Sequence, residues 1–316
     1  MGKYIAIRVL AAVPVLVGVL LIVFVLLRLI PGDPVSLLLE SRGESSIFTS
    51  RIPLEAVEQL RDSYHLNDPI PVQFALYARD VVVGDFGRSF QTNQQVGDLI
   101  KELFPETLKL TMAGMGVALL VGLVSGIVSA IRHHTWVDYS GQVVAVFGVS
   151  VPDFFFGLVL IYIFAVNLRW LPALGQDRPE GMIMPAVTLG VSAAAIIARM
   201  TRSSMLDVMS RDFVRTARAK GLRESAVVIR HALKNSLIPV ITIVGLQFGS
   251  LLTGAIVVEV VFTRQGLGFE LVEAVQRRNY PVVQALVMLA SLVYVAVNII
   301  VDVLYTYIDP RVRLQT

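Results

Sequence analysis

The sequence predicts an all-α integral membrane protein: six transmembrane helices, with a small helical extracytoplasmic subdomain between the first two. Two observations carry that class. Hydrophobic residues make up 55% of the 316 and charged residues only 16%, with a mean hydropathy of +0.71, a balance far from that of soluble domains. The chain also contains several uncharged apolar stretches, each long enough for a helix to cross a hydrocarbon layer of roughly 30 Å.

Taken in order, residues 9–27 hold no charge over 19 positions and residues 110–131 none over 22. Residues 237–258 and 282–301 are equally clean over 22 and 20 positions, and 182–198 is a shorter 17. The remaining span is interrupted. Residues 143–151 are apolar, Pro152-Asp153 breaks the run, and 154–166 resumes it. Proline removes a backbone donor, so a span there must be kinked or divided. The first span is expected to be a retained anchor: its apolar core exceeds a signal peptide's stretch of about 7–15 residues, and no small-residue cleavage site precedes Pro31-Gly32-Asp33-Pro34. The expected organisation is therefore an N-terminal segment with the first span over 1–30, the extracytoplasmic subdomain over 31–107, and a membrane core over 108–316 whose cytoplasmic loop runs from 199 to 236.

Orientation follows from the basic residues beside the spans. Residues 199–234 carry nine basic side chains against three acidic, whereas 169–185 and 262–281 carry two and three basic ones. Short loops rich in Lys and Arg stay on the cytoplasmic side, which places both termini there. The same rule explains the net charge of +3 and the pI near 9.2 without a nucleic-acid partner. With no Cys, disulfide and thiol chemistry are excluded.

Residues 31–107 are too long for a plain connection. Pro53 and Pro71 suit helix N-termini, Leu54, Val57 and Leu60 recur at helical spacing, and Gly84-Asp85-Phe86-Gly87 is a turn. Packing and contact with an external partner both remain open for this segment. In the cytoplasmic loop, Arg211, Arg215 and Arg218 recur at helical spacing and predict one basic face, beside the small Ala217 and Ala219. Gly221 suits a left-handed helix C-cap, and Pro239 the start of the next span. On residues alone this helix fits either a groove on a partner protein or an anionic lipid surface.

Within the spans, an ionisable group at depth marks function by default, so Asp153 either lines a translocation pathway or caps the half-helix after Pro152. Gln247, Tyr294 and Asn298 either face that pathway or tie helices together. His133-His134 lacks a set that would complete a metal site, and neighbours in a helix or turn are expected to diverge. The nine Met are scattered as packing residues. The chain has no G-x-x-x-x-G-K-[ST] phosphate cradle, and its four His fall outside the spans, which argues against an ATPase and against an intramembrane protease.

Seven motifs then stand in order: Pro31-Gly32-Asp33-Pro34; Gly84-Asp85-Phe86-Gly87-Arg88-Ser89; Met200-Thr201-Arg202-Ser203-Ser204-Met205; Arg215-Thr216-Ala217-Arg218-Ala219-Lys220-Gly221-Leu222 with His231-Ala232-Leu233-Lys234-Asn235-Ser236-Leu237-Ile238-Pro239; Gly266-Leu267-Gly268; Arg278-Asn279-Tyr280-Pro281; and Asp309-Pro310-Arg311. Together they resemble the B-type permease of dipeptide, oligopeptide, glutathione and nickel ABC importers. Two departures are mild: the Glu of the family's EAA loop is replaced, and Asn279 stands where Asp is common. The resemblance implies a MetI-like six-helix fold in a bacterial inner membrane and a non-catalytic role, with ATPase coupling through Arg211, Arg215, Thr216, Ala217, Arg218, Ala219, Lys220, Gly221 and Leu222. It implies a second homologous permease, two ATP-binding subunits that hold ATP and Mg, and an extracytoplasmic substrate-binding protein. This chain would bind no cofactor or metal itself. On composition alone, the competing reading is a self-sufficient secondary transporter of peptides or other small solutes.

Overall fold

A computed structural model describes residues 2–29, 58, 67–175 and 178–308. The expectations for Pro31-Gly32-Asp33-Pro34, Pro53, Leu54, Val57, Leu60 and Asp309-Pro310-Arg311 lie outside those residues. Within them the helices are, in chain order, α1 (Gly2–Leu29), α2 (Ile70–Val83), α3 (Val96–Ile131), α4 (Trp136–Ser150), α5 (Asp153–Leu160), α6 (Ile183–Met209), α7 (Asp212–Ala219), α8 (Glu224–Ala226), α9 (Lys234–Val261), α10 (Leu267–Gln276) and α11 (Tyr280–Ile308). Wider π-helical turns continue α5 over Ile161–Asn167 and join α8 to α9 over Val227–Leu233. The described residues hold no strand, only an isolated bridge between Arg88 and Gln95. Among the described residues five helical runs are long and apolar enough to cross a membrane, six if α4 and α5, bent by 105° at their break, form one span.

The chain divides into two compact units, Met1–Pro105 with Phe269–Val295, and Glu106–Gly268 with Ala296–Thr316. In the first, α1 and α2 meet through aromatic rings: Phe24 is 2% exposed, lies edge-on to Phe74 at 5.3 Å and stacks on Tyr77 at 6.0 Å. Burial pushes the Tyr77 phenol up to about 12. Pro71 sits in the first turn of α2, as its fixed φ favours, and the helix stops at Gly84, φ +83. Asp85 accepts a hydrogen bond from the Gly87 amide at 3.0 Å, closing the expected turn. Further along, Asn279 donates to Ser89 Oγ at 2.8 Å and accepts from the Phe90 amide at 3.1 Å. An Asp there would accept from both groups, so the Asn departs little from the family's pattern in what it can bind.

The second unit is organised on α6. Leu110, Met115, Met184, Leu189, Ala193, Ile197, Leu251, Ala255, Val258 and Phe262 form its core, drawn from α3, α6, α9 and the turn after α9. The approach of α3 to α6 needs small residues: a Cβ on Gly122 would sit 2.8 Å from the Ala194 carbonyl, and one on Gly126 would sit 2.6 Å from that of Ala198. In a membrane such close backbone approach replaces the hydrophobic drive that water provides elsewhere.

Several boundaries moved. The span expected over 182–198 runs as helix to Met209, so Arg199 and Arg202 are helical and the connecting loop begins later than 199. Helix continues past the apolar run because its backbone bonds do not depend on the membrane. Pro239, expected at the start of a span, lies inside α9, which opens at Lys234. Likewise α3 starts at Val96 and carries Pro105 within it, ahead of the apolar run at 110.

Candidate functional site

The segment after α6 is built as a mounted knob. Arg211 is extended (φ −77°, ψ 151°), so the chain turns there and α7 begins at Asp212, whose negative charge suits a helix N-terminus. Val214 and Ala217 are buried, 0% and 5% exposed, against Met205 and Val208 of α6, Ala130 of α3, and Val227, Val228 and Ala232. The opposite face is open: Arg215, Thr216, Ala219 and Lys220 are exposed, with Phe213 and the following Leu222 at 42% and 44%. The helix ends as predicted, on Gly221 at φ +75°, with the Gly221 amide on the Arg218 carbonyl at 2.9 Å and the Leu222 amide on the Ala217 carbonyl at 3.4 Å. That pair of bonds is the Schellman arrangement.

The uniform basic face does not form. Arg211 precedes the helix, Arg215 lies 3.8 Å from Asp212, and Arg218 grips Glu224 through Nη2 at 2.6 Å and Nε at 3.1 Å. Local carboxylates therefore offset much of the charge that residue spacing alone assigns. What projects is mixed, two apolar side chains among cations. The small Ala217 packs inward on this chain's own core.

At the broken span, Val151 and Pro152 are extended and α5 starts at Asp153. The carboxylate makes no capping bond to the free amides of α5, and Ser192 of α6 lies near it. Its Oδ2 lies 3.9 Å from where a Cβ on Gly254 of α9 would stand. Asp153 is thus half-buried where α5, α6 and α9 converge. Gln247 precedes Gly254 by two helical turns on the same face of α9 and is half-buried, and its side-chain amide hydrogen-bonds to no protein group among the described residues. Asn298 is half-buried in the second unit, and Tyr294 is 52% exposed in the first.

Two polar clusters escaped the sequence reading. Asp138, 1% exposed, accepts Arg202 Nε at 2.6 Å and Nη2 at 2.8 Å, Ser129 Oγ at 2.6 Å, Gln142 Nε2 at 3.2 Å and the His134 amide at 3.2 Å, fastening α3, α4 and α6. Glu259, also 1% exposed, accepts Thr107 Oγ1 at 2.6 Å and the Gly268 amide at 2.8 Å, while Thr107 Oγ1 accepts the Leu267 amide at 2.8 Å. Any Cβ on Gly266 would collide with that carboxylate, which accounts for the Gly266-Leu267-Gly268 motif. The signal for both was available: a carboxylate next to or within an apolar run needs partners.

His133 and His134 do not diverge. His134 takes φ +63°, which turns its ring onto that of His133 at a centroid distance of 3.7 Å. No group of three His, Asp or Glu among the described residues is placed to hold a metal ion.

Residues 122–314 match the family model described as binding-protein-dependent transport system inner membrane component, and residues 1–111 match the model of that system's N-terminal membrane component. The chain is 42% identical over 315 residues to the glutathione transport system permease protein GsiC of Escherichia coli (strain K12), covering all of both chains. It is 43% identical, over the same full length, to the protein of that name in Salmonella paratyphi A (strain ATCC 9150 / SARB42). Among solved structures it is similar to the inward-facing MetNI methionine ABC transporter in its native crystal form, at 18% identity and TM-score 0.53, over 67% of this chain and 96% of that one. It is likewise similar to an amino acid ABC transporter with histidines, at 15% identity and TM-score 0.53, over 66% and 94%. These two likenesses show the fold, a MetI-like helical permease.

Proposed function

Because the chain belongs to the family of binding-protein-dependent transport system inner membrane components, and so is a multi-pass permease subunit of an ABC importer, we propose that it carries a peptide-like solute such as glutathione and takes its driving force through α7. The observation that carries the coupling assignment is the mounting of α7: one face locked into the second unit by Val214 and Ala217, the other presenting Phe213, Arg215, Lys220 and Leu222. A helix held so firmly transmits displacement to α6 and to the Val227–Leu233 turn without first unfolding.

On this reading the connection bearing α7 and both termini are cytoplasmic, and partner ATPases bind ATP and Mg. This chain performs no catalysis and binds no cofactor. Closure of the ATPase pair moves α7, and the pathway alternates between outward and inward openings, which requires ligands that favour one state over the other. A second permease completes the pathway and an extracytoplasmic binding protein delivers the solute. Asp153 and Gln247, on one line along α5 and α9, face it, with Asn298 contributing from α11, and Tyr294 is proposed for it on its place in the sequence.

Reconstitution tests the reading. Liposomes carrying this chain, its partner permease and the ATPases should accumulate glutathione or small peptides only with ATP inside the ATPase compartment. Ion-driven uptake by the purified chain alone would establish a secondary transporter instead.

A further inference from the structure

We propose that a cavity among α3, α4 and α6 binds the phosphate of an anionic phospholipid headgroup. The cavity encloses about 90 Å³, room for a phosphate-sized group where a single water needs about 10–15 Å³. Ser129, Gln142 and Arg202 supply its polar lining, Arg199 stands exposed at it, and Ala145 and Val146 form an apolar wall. Such a site is itself amphipathic, polar at one side and greasy at the other.

Depth selects a lipid. The connection between α3, ending at Ile131, and α4, starting at Trp136, marks a membrane border, and Ser129 and Gln142 lie within two turns of it. Trp136 and Tyr139 are 78% and 57% exposed there, the arrangement of an interfacial aromatic belt. Charge selects an anion. Arg202 spends Nε and Nη2 on Asp138, leaving Nη1 for another acceptor. Arg199, one turn earlier on α6, pairs with no carboxylate among the described residues, although it lies in a membrane-crossing helix. A guanidinium without a carboxylate at that border attracts an anionic counter-ion. The phosphate layer of the adjoining leaflet supplies one at the right level, and its acyl chains can run on along the exposed Val146 and Phe147. The inference needs the membrane-spanning helices only, so it stands or falls apart from the coupling role of α7 and from which face is cytoplasmic. A free phosphate offers the same head chemistry without the chains.

The test is native mass spectrometry of the full chain released from mixed phosphatidylglycerol and phosphatidylcholine vesicles. The wild type should retain phosphatidylglycerol preferentially, and Arg199→Gln should retain about fivefold less, as expected for one guanidinium near the membrane surface. Gly141→Val should lose it too, because Gly141 lines the cavity and a Cβ there meets only Ser129 Oγ, at 3.4 Å, so the added side chain takes up cavity space. Arg132→Gln, an exposed cation at the same border, should behave as wild type. Equal retention by wild type and both cavity variants overturns the proposal, as does an equal loss in Arg132→Gln. If inorganic phosphate protects the site equally in phosphatidylcholine alone and no lipid preference is seen, the cavity takes a free anion and the lipid assignment is overturned.

Discussion

Replacing Gly221 separates conformation from contact at the end of α7. The residue holds φ +75°, and two bonds, from its own amide to the Arg218 carbonyl at 2.9 Å and from the Leu222 amide to the Ala217 carbonyl at 3.4 Å, depend on that left-handed geometry. A Cβ at 221 would meet nothing within 4 Å. The whole cost of a side chain is therefore conformational within this chain: about 1–2 kcal/mol for a β-branched residue, nearer 1 kcal/mol for Ala, and least for Asn, which visits the left-handed region more readily. A cost of 1–2 kcal/mol corresponds to roughly a 5–30-fold change in the population of the native end. In Gly221→Val, membrane insertion should survive, while capture of the ATPase subunits and ATP-driven uptake fall within that range.

The graded series is the sharper assay. If backbone geometry matters, uptake falls in the order Asn, Ala, Val. If instead a partner packs against the empty space at 221, size decides, so Ala is mildest and Asn approaches Val. The second order would refute the conformational argument, and unchanged transport by Gly221→Val would refute the docking assignment itself.

Three further outcomes are expected. Cysteines placed at Asp68 and Arg218 of this Cys-free chain should react with an impermeant reagent from opposite sides of the membrane; reaction of both from one side overturns the proposed topology. Asp138→Asn leaves the half-buried Arg202 without its carboxylate and should cost up to about 3 kcal/mol, read by thermal unfolding in detergent, whereas Asp138→Asn with Arg202→Met should recover much of it; a single mutant as stable as wild type removes the ion pair from the account. Asp153→Asn keeps size but removes charge, so the ratio of charged to neutral peptide uptake should change in the reconstituted complex; an unchanged ratio takes Asp153 out of the pathway.

The spans were legible because exclusion of charge over about 20 residues has few other causes, and the end of α7 was legible because only glycine takes φ +75° cheaply. The rest depended on contacts that no local period encodes. Asp138 and Arg202 are 64 positions apart, Thr107 and Glu259 are 152 apart. A helix reading sees Arg202 as one more basic residue in a cytoplasmic loop, and it takes the fold to show that α6 carries it back against α4. The same limit explains the lost basic face of α7: Arg218 recurs at helical spacing, but its partner Glu224 lies beyond the glycine turn.

Charge in or beside an apolar helix is the signal the sequence does offer, and the structure sorts it. Asp138 is matched by Arg202, and Arg264 reaches Glu106 at 3.2 Å. Glu259 is satisfied by a hydroxyl and a backbone amide. Groups so matched hold helices together and gain little by meeting a solute, since releasing a buried partner costs more than the new contact returns. Asp153 differs, with the neutral Ser192 as its neighbour at the break in the span, and so does Arg199, which pairs with no carboxylate among the described residues. A charge unmatched by its own fold, half-buried as Asp153 is or exposed as Arg199 is, is the one that a charged ligand can stabilise, which is why the pathway is proposed at Asp153 and the lipid cavity at Arg199.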